Sequence, residues 1–115
     1  NSAVLVSDSG ETLTSAAVLL FRKGAQIARL YSITVAEAVR GTGLSSVLLS
    51  ECEDISRQRG CSQMRLEVRA TNSRAIRLYE RHGYRVMARA AAYYPDGEDA
   101  LRMEKPLTGL SREET

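Results

Sequence analysis

At 115 residues, 43% hydrophobic and 26% charged, the chain has the length for one domain with a single modest core and the balance of a globular rather than a disordered protein. A net charge of +2, with bases interleaved among acids, argues against nucleic acid, and the longest apolar run, Ala16 to Phe21, is far too short for a bilayer span. No basic-plus-apolar leader opens the chain, so a cytoplasmic protein without a membrane partner is expected.

Ala3 to Val6 and Thr14 to Phe21 read as the two strands of a hairpin, parted by the turn-rich Ser7-Asp8-Ser9-Gly10. Arg22-Lys23-Gly24-Ala25 turns the chain into a third strand, Gln26 to Val35, apolar on both faces and therefore expected to be covered on both. From Leu44 the positions Leu44, Val47, Leu48, Cys52 and Ile55 recur at helical spacing, with Ser45, Glu51, Asp54 and Arg57 opposite, until Gly60. Met64 to Arg69 alternates as a strand, with Arg65, Glu67 and Arg69 on its polar face. Asn72 is an N-cap for a helix over Ser73 to Arg81, closed by Gly83, and a strand from Tyr84 to about Ala90 follows. Tyr93 to Asp99 is a loop, Ala100 to Lys105 a last strand, and residues 108–115 a polar tail. Antiparallel strands followed by crossover units predict an α/β fold with a mixed sheet flanked by helices, the Glu67 strand parallel to the Val35 strand.

Cys52 and Cys61 lack Cys-x-x-Cys spacing and His82 is the single histidine, so no metal site is expected. Cys52 falls on the apolar stripe as a core residue, and His82 reads as a solvated helix-end residue.

The turn between Val35 and Leu44 carries Gly41 and Gly43, which permit positive φ and close approach, ahead of a helix start that presents unpaired N–H groups and a positive dipole end. That is either a phosphate cradle or a bare structural turn; the spacing alone does not choose. No glycine stands at position 46 and no Gly-Lys-Ser/Thr follows, which excludes the dinucleotide and P-loop patterns. What remains, Arg40-x-x-Gly43-x-Ser45, resembles the pyrophosphate-binding motif of the GCN-five-related N-acetyltransferases, with Ser45 where Gly or Ala is usual. The resemblance implies acetyl-coenzyme A held by the main chain of Arg40, Gly41, Thr42, Gly43, Leu44 and Ser45. The edge of Ile33-Thr34-Val35 suits the amide-rich pantetheine arm as an added strand.

Acetyl transfer to an amine also needs a proton acceptor and a donor for the leaving thiolate. Glu67, on a polar strand face, can accept the amine proton or simply pair with Arg65 or Arg69. Tyr79, two helical turns after Asn72, is a proton donor or a packing aromatic. The run Leu66-Glu67-Val68-Arg69-x-x-Asn72-x-x-Ala75-Ile76-x-Leu78-Tyr79-x-x-x-Gly83-Tyr84 is similar to a block of the bacterial ribosomal-protein-alanine N-acetyltransferases, the RimI type. By that resemblance Glu67 is the proton acceptor, Tyr79 the proton donor and Asn72 a cofactor contact. Tyr93-Tyr94-Pro95 with Gly97-Glu98-Asp99-Ala100 looks like a shortened form of another segment of that family, whose acids could draw in a cationic amine or merely be solvated.

These resemblances imply an acetyltransferase domain over residues 1–107 that lacks the family's first strand and helices. They imply direct attack in a ternary complex on a primary amine: a peptide N-terminus, a lysine or a small molecule. The competing expectation is a non-catalytic coenzyme A-binding or regulatory module, or a fragment of a larger multidomain protein. Between them stands an enzyme whose acceptor site is completed by a homodimer mate or by a fused or partner domain.

Overall fold

The computed structural model describes residues 2–9, 13–36 and 43–107, which divide into two compact units: Asn1–Met64 with Pro106–Thr115, and Arg65–Lys105. The tail over 108–115 lies outside the described residues.

In the first unit β1 (Ser2–Ser9), β2 (Leu13–Phe21) and β3 (Ile27–Val35) form an antiparallel run in that order, and α1 (Leu44–Gln58) packs on it. β1 is longer than the sequence suggests. Ser7 and Asp8 face Ala16 and Ser15 across the ladder, with a register shift at Asp8/Ser9, so pairing with β2 keeps turn-forming residues extended. Along β2 the residues Ser15, Ala17, Leu19 and Phe21 are buried while Ala16, Val18 and Leu20 are partly exposed, which is the period-two signature of a strand with one covered face.

α1 lays Leu48, Leu49 and Cys52 into this unit's core, each fully buried. Here the expected stripe is corrected. Val47 is 56% exposed, and Leu49, Glu53 and Ser56 lie inward in its place. The two possible stripes share Leu48 and Cys52, and rotating the helix to bury Leu49 removes the larger side chain from water, worth about 2–3 kcal/mol for a leucine. Ser56 tolerates burial because its hydroxyl donates back to the Cys52 carbonyl at 2.9 Å. Burial, followed by the charges of Glu51 and Glu53, pushes the Cys52 thiol up to about 12.

β3 corrects a second expectation. Ala28 and Leu30 are buried, but Tyr31 is 63% exposed and Thr34 is exposed as well, so the strand is not covered on both faces. Leu19 pairs with Leu30 and Val18 with Ser32, which leaves Tyr31 as the extra residue of a β-bulge, turned out of the ladder into water. The unit is closed by main-chain bonds from Ser62 N–H to the Gln26 carbonyl and from Leu107 N–H to the Ser62 carbonyl, both 2.7 Å. Arg57 Nε donates to the Leu107 carbonyl at 3.0 Å.

The second unit takes up β4 (Gln63–Arg69) from Arg65 onward and contains α2 (Ser73–Arg81), β5 (Arg85–Ala90) and β6 (Ala100–Pro106), in the strand order β4-β6-β5. The polar/apolar alternation of β4 holds: Leu66 and Val68 are buried, while Arg65, Glu67 and Arg69 are partly exposed. β5 pairs antiparallel with β6, and a register shift between Val86 and Ala88 leaves Met87 unpaired and exposed.

Both helices end in the same way. Gly60 and Gly83 adopt φ of +83° and +93°, a left-handed turn that a side chain would strain. Cys61 N–H then bonds back to the Ser56 carbonyl, and Tyr84 N–H to the Tyr79 carbonyl, each at 3.0 Å, giving the Schellman closure. In α2 this closure brings the Tyr79 and Tyr84 rings edge to face at 5.7 Å, the apolar contact that accompanies the motif.

Candidate active site

In the first unit the candidate site is the start of α1. Gly43 is the N-cap with φ +86°; no side chain caps the helix, and no acid stands in its first turn. A Cβ on Gly43 would meet no atom within 4 Å, so glycine is needed there for its conformation rather than for space. The orphan N–H groups and positive dipole end of a 15-residue helix are therefore left without a side-chain oxygen or a carboxylate of their own, which is the donor set a phosphate fits. Leu44 and Ser45 lie in this first turn. Arg40, Gly41 and Thr42 lie outside the described residues. Ile33 and Val35 are partly exposed and Thr34 exposed at the end of β3.

In the second unit Glu67, Asn72 and Tyr79 occur within a thirteen-residue span over β4 and α2. Asn72 caps α2 as expected, its Oδ1 accepting the Ala75 N–H at 3.2 Å. Tyr79 is buried in the packing just described, and His82 is the C-cap of α2.

Glu67 has a partner the sequence reading did not name. Its Oε2 accepts from Arg102 Nε at 2.9 Å, while its strand neighbours are engaged elsewhere: Arg65 with Glu104 at 2.6 Å, and Arg69 with Asp96 at 2.8 Å and Glu98 at 3.5 Å. The ion pair expected with Arg65 or Arg69 is thus replaced by one reaching from β6. Residue numbers rise along β4 (65, 67) as their partners fall along β6 (104, 102), so opposite charges meet in the sense of an antiparallel pair. The hydrogen bond to Glu67 raises the Arg102 guanidinium further above its usual value. The signal for Arg102 was present in the alternation Arg102-Met103-Glu104, with Met103 fully buried and both charges on the opposite face.

The loop from Tyr93 to Asp99 is not simply solvated. Arg69 lies over the Tyr94 ring at 4.2 Å, and the Tyr93 and Tyr94 rings meet edge to face at 5.0 Å. Thr71 donates to Glu98 at 2.9 Å, Arg89 pairs with Asp99 at 2.8 Å, and the Ala92 N–H, at φ +50°, reaches Asp99 at 2.9 Å. The Asp96 carboxyl is held below the usual aspartate range, first by the Glu98 N–H and then by Arg69; that of Asp99 is held below it by the Ala92 N–H and then by Arg89. Its acids therefore fasten the loop.

The model of the acetyltransferase (GNAT) family matches residues 2–84. This chain belongs to that family. An N-alpha-acetyltransferase of Saccharolobus solfataricus is 36% identical over 89 residues, which are 76% of this GNAT chain and 51% of that protein. The ribosomal protein bS18-alanine N-acetyltransferase of Escherichia coli is 39% identical over 84 residues, 70% of this chain and 57% of that one. The crystal structure of the ribosomal-protein-S18-alanine N-acetyltransferase from Escherichia coli superposes with a TM-score of 0.81 at 31% identity, covering 91% of this chain and 69% of that one. A structure of the NatC complex bound to Gag peptide and CoA gives a TM-score of 0.78 at 26% identity over 89% and 66% of the two chains. The GNAT chain therefore spans about half the length of the relatives it matches in sequence. The fold class expected from the sequence, α/β with a mixed sheet, is the one these likenesses show.

Proposed function

We propose that the chain carries the coenzyme A-binding and proton-transfer residues of an N-acetyltransferase that moves acetyl from acetyl-coenzyme A to a primary amine by direct attack. The observation that carries this reading is the start of α1, where Gly43 sets a left-handed turn and neither a side-chain cap nor an acid competes for the helix N–H groups. The CoA in the NatC structure, at 26% identity, supports the choice of ligand. When bound, the cofactor supplies an activated thioester carbonyl. The chain's own groups do the rest. The main chain at Gly43, Leu44 and Ser45, with Arg40, Gly41 and Thr42, holds the pyrophosphate, and Asn72 offers its amide. Glu67 takes a proton from the attacking amine, and the Tyr79 hydroxyl gives one to the departing thiolate. A carboxylate is a weak base. It suits an α-amine with pKa near ~8 better than a lysine near ~10.4, so a peptide N-terminus is the favoured acceptor, in line with what the bacterial and archaeal relatives are named for.

One observation favours a second reading. Because Glu67 is tied to Arg102, it serves equally as a structural ion pair in a coenzyme A-binding module that transfers nothing. Thiol release from acetyl-coenzyme A, followed with and without an alanine-initiated peptide, separates the two. Peptide-dependent release is expected. Stabilisation by coenzyme A without any release, for the chain alone and in the longest natural polypeptide that contains it, overturns the catalytic reading in favour of the binding module.

A further inference from the structure

A cleft of about 380 Å³ opens in the first unit between the β2–β3 turn and the end of α1, lined by Arg22, Lys23 and Arg59 together with the buried Phe21 and Cys61. No carboxylate of the described residues lines it. Elsewhere Arg57, Arg65, Arg69, Arg89 and Arg102 each hold an acid at 2.6–2.9 Å, whereas the three cations of the cleft have no ion-pair partner among the described residues. A concave surface lined by one sign of charge concentrates counter-ions of the other.

Arg59 is held in place before any ligand arrives. Its guanidinium lies 4.4 Å from the Phe21 ring and donates through one terminal nitrogen to Ser2 Oγ at 3.0 Å, which leaves the rest of its fork without a hydrogen-bond partner among the described residues. A fork fixed in this way has less freedom to lose on binding. The Ala25 N–H is taken by the Arg22 carbonyl at 3.0 Å, which closes the turn, so attraction in the cleft comes from side-chain charge. The negative end of the α1 dipole lies nearby but amounts to about half a unit charge, and its carbonyls at Ile55, Ser56 and Arg57 already accept from Arg59, Cys61 and Gly60. Three full positive charges outweigh it.

We propose that this cleft is a second anion site that takes a phosphate-bearing small molecule. The fork of Arg59 and the charges of Arg22 and Lys23 engage the phosphate oxygens, and Phe21 and Cys61 border the organic part. Its volume falls in the range of small-molecule sites, roughly 300–1,000 Å³, and a phosphomonoester brings a charge of about −1.5 to −2 at neutral pH to meet three cations. The inference does not rest on the coenzyme A reading, because the fifteen residues of α1 set the cleft about 22 Å from the helix start at Gly43.

The test follows backbone amide shifts of the full chain during titration with glycerol 3-phosphate, with inorganic phosphate and with sodium chloride at matched ionic strength. Saturable shifts at Gly24, Ala25 and Cys61 are expected with both phosphates and not with chloride, the ester binding at least about threefold more tightly. Equal affinity overturns the organic part of the assignment. Lys23→Glu, in an exposed turn, is expected to weaken binding about tenfold, and Arg59→Lys, which keeps the charge but not the fork, about threefold. Phosphate shifts confined to Leu44 and Ser45, shifts at the cleft matched by chloride, or an affinity that Lys23→Glu leaves unchanged overturn the inference and leave the coenzyme A reading standing.

Discussion

Arg102 on β6 grips Glu67 on β4 through a single 2.9 Å hydrogen bond, and the glutamate side chain it holds is only 7% exposed. The pairing sets a counter-charge beside the carboxylate and fixes its direction. Removing the guanidinium by Arg102→Gln is expected to lower stability by about 1–2 kcal/mol, tempered by the solvent that reaches Arg102, and melting by several degrees. Glu67→Gln keeps an acceptor oxygen for Arg102 and should cost less. It should nevertheless lower the rate of thiol release at least tenfold, with coenzyme A affinity unchanged. Thermal denaturation and steady-state kinetics on the two variants check both halves.

The hydroxyl and the ring of Tyr79 are expected to separate cleanly. Tyr79→Phe retains the edge-to-face contact with Tyr84 and should stay within about 1 kcal/mol of the wild type in stability, while thiol release falls tenfold or more. Tyr79→Ala, by contrast, empties a buried site at the close of α2 and should cost about 3 kcal/mol or more. Urea denaturation alongside the kinetic assay distinguishes the two effects.

The rotation of α1 makes a prediction that sequence periodicity alone would reverse. Leu49→Ala should destabilise the chain by about 2–4 kcal/mol, whereas Val47→Ala, on the exposed side, should stay within about 0.5 kcal/mol. Equal effects in denaturant titrations would restore the Leu44-Val47 stripe as the inward one.

The Tyr93 to Asp99 loop should loosen in acid. Asp96 and Asp99 are both held below the ordinary aspartate range, so their stabilisation is complete above about 3.9 and is lost as pH falls through the lowered values. Amide exchange at Ala92, whose N–H is bound by Asp99, is the local probe. Corrected for its intrinsic pH dependence, its protection should persist down to about pH 4 and fall below it. Asp99→Ala should abolish that protection at neutral pH.

Local signals carried most of the fold into the sequence. Asn72 announced its helix to the residue, Gly60 and Gly83 announced the two Schellman ends, and the alternation of Leu66, Glu67 and Val68 announced β4. Each of these needs only neighbours within a few positions. The face of α1 was not legible, because Leu48 and Cys52 belong to two overlapping stripes and only the sheet decides between Val47 and Leu49. Nor was the bulge at Tyr31, which depends on how β2 meets β3, or the partner of Glu67, which arrives from 35 residues further along. Of the candidate site, the residue types and spacings could be read directly, whereas Arg102 emerges only once strands are aligned.

The slip in register at Met87 has a bearing on how this chain behaves in a crowded solution. An edge strand of six residues, with its register broken at the third and the exposed cations Arg85 and Arg89 on either side of the break, gives an approaching strand neither a straight rim nor a neutral one. Fibril-like stacking of one chain upon another through β5 is thereby discouraged, even though Val86 and Met87 show water two sizeable apolar side chains.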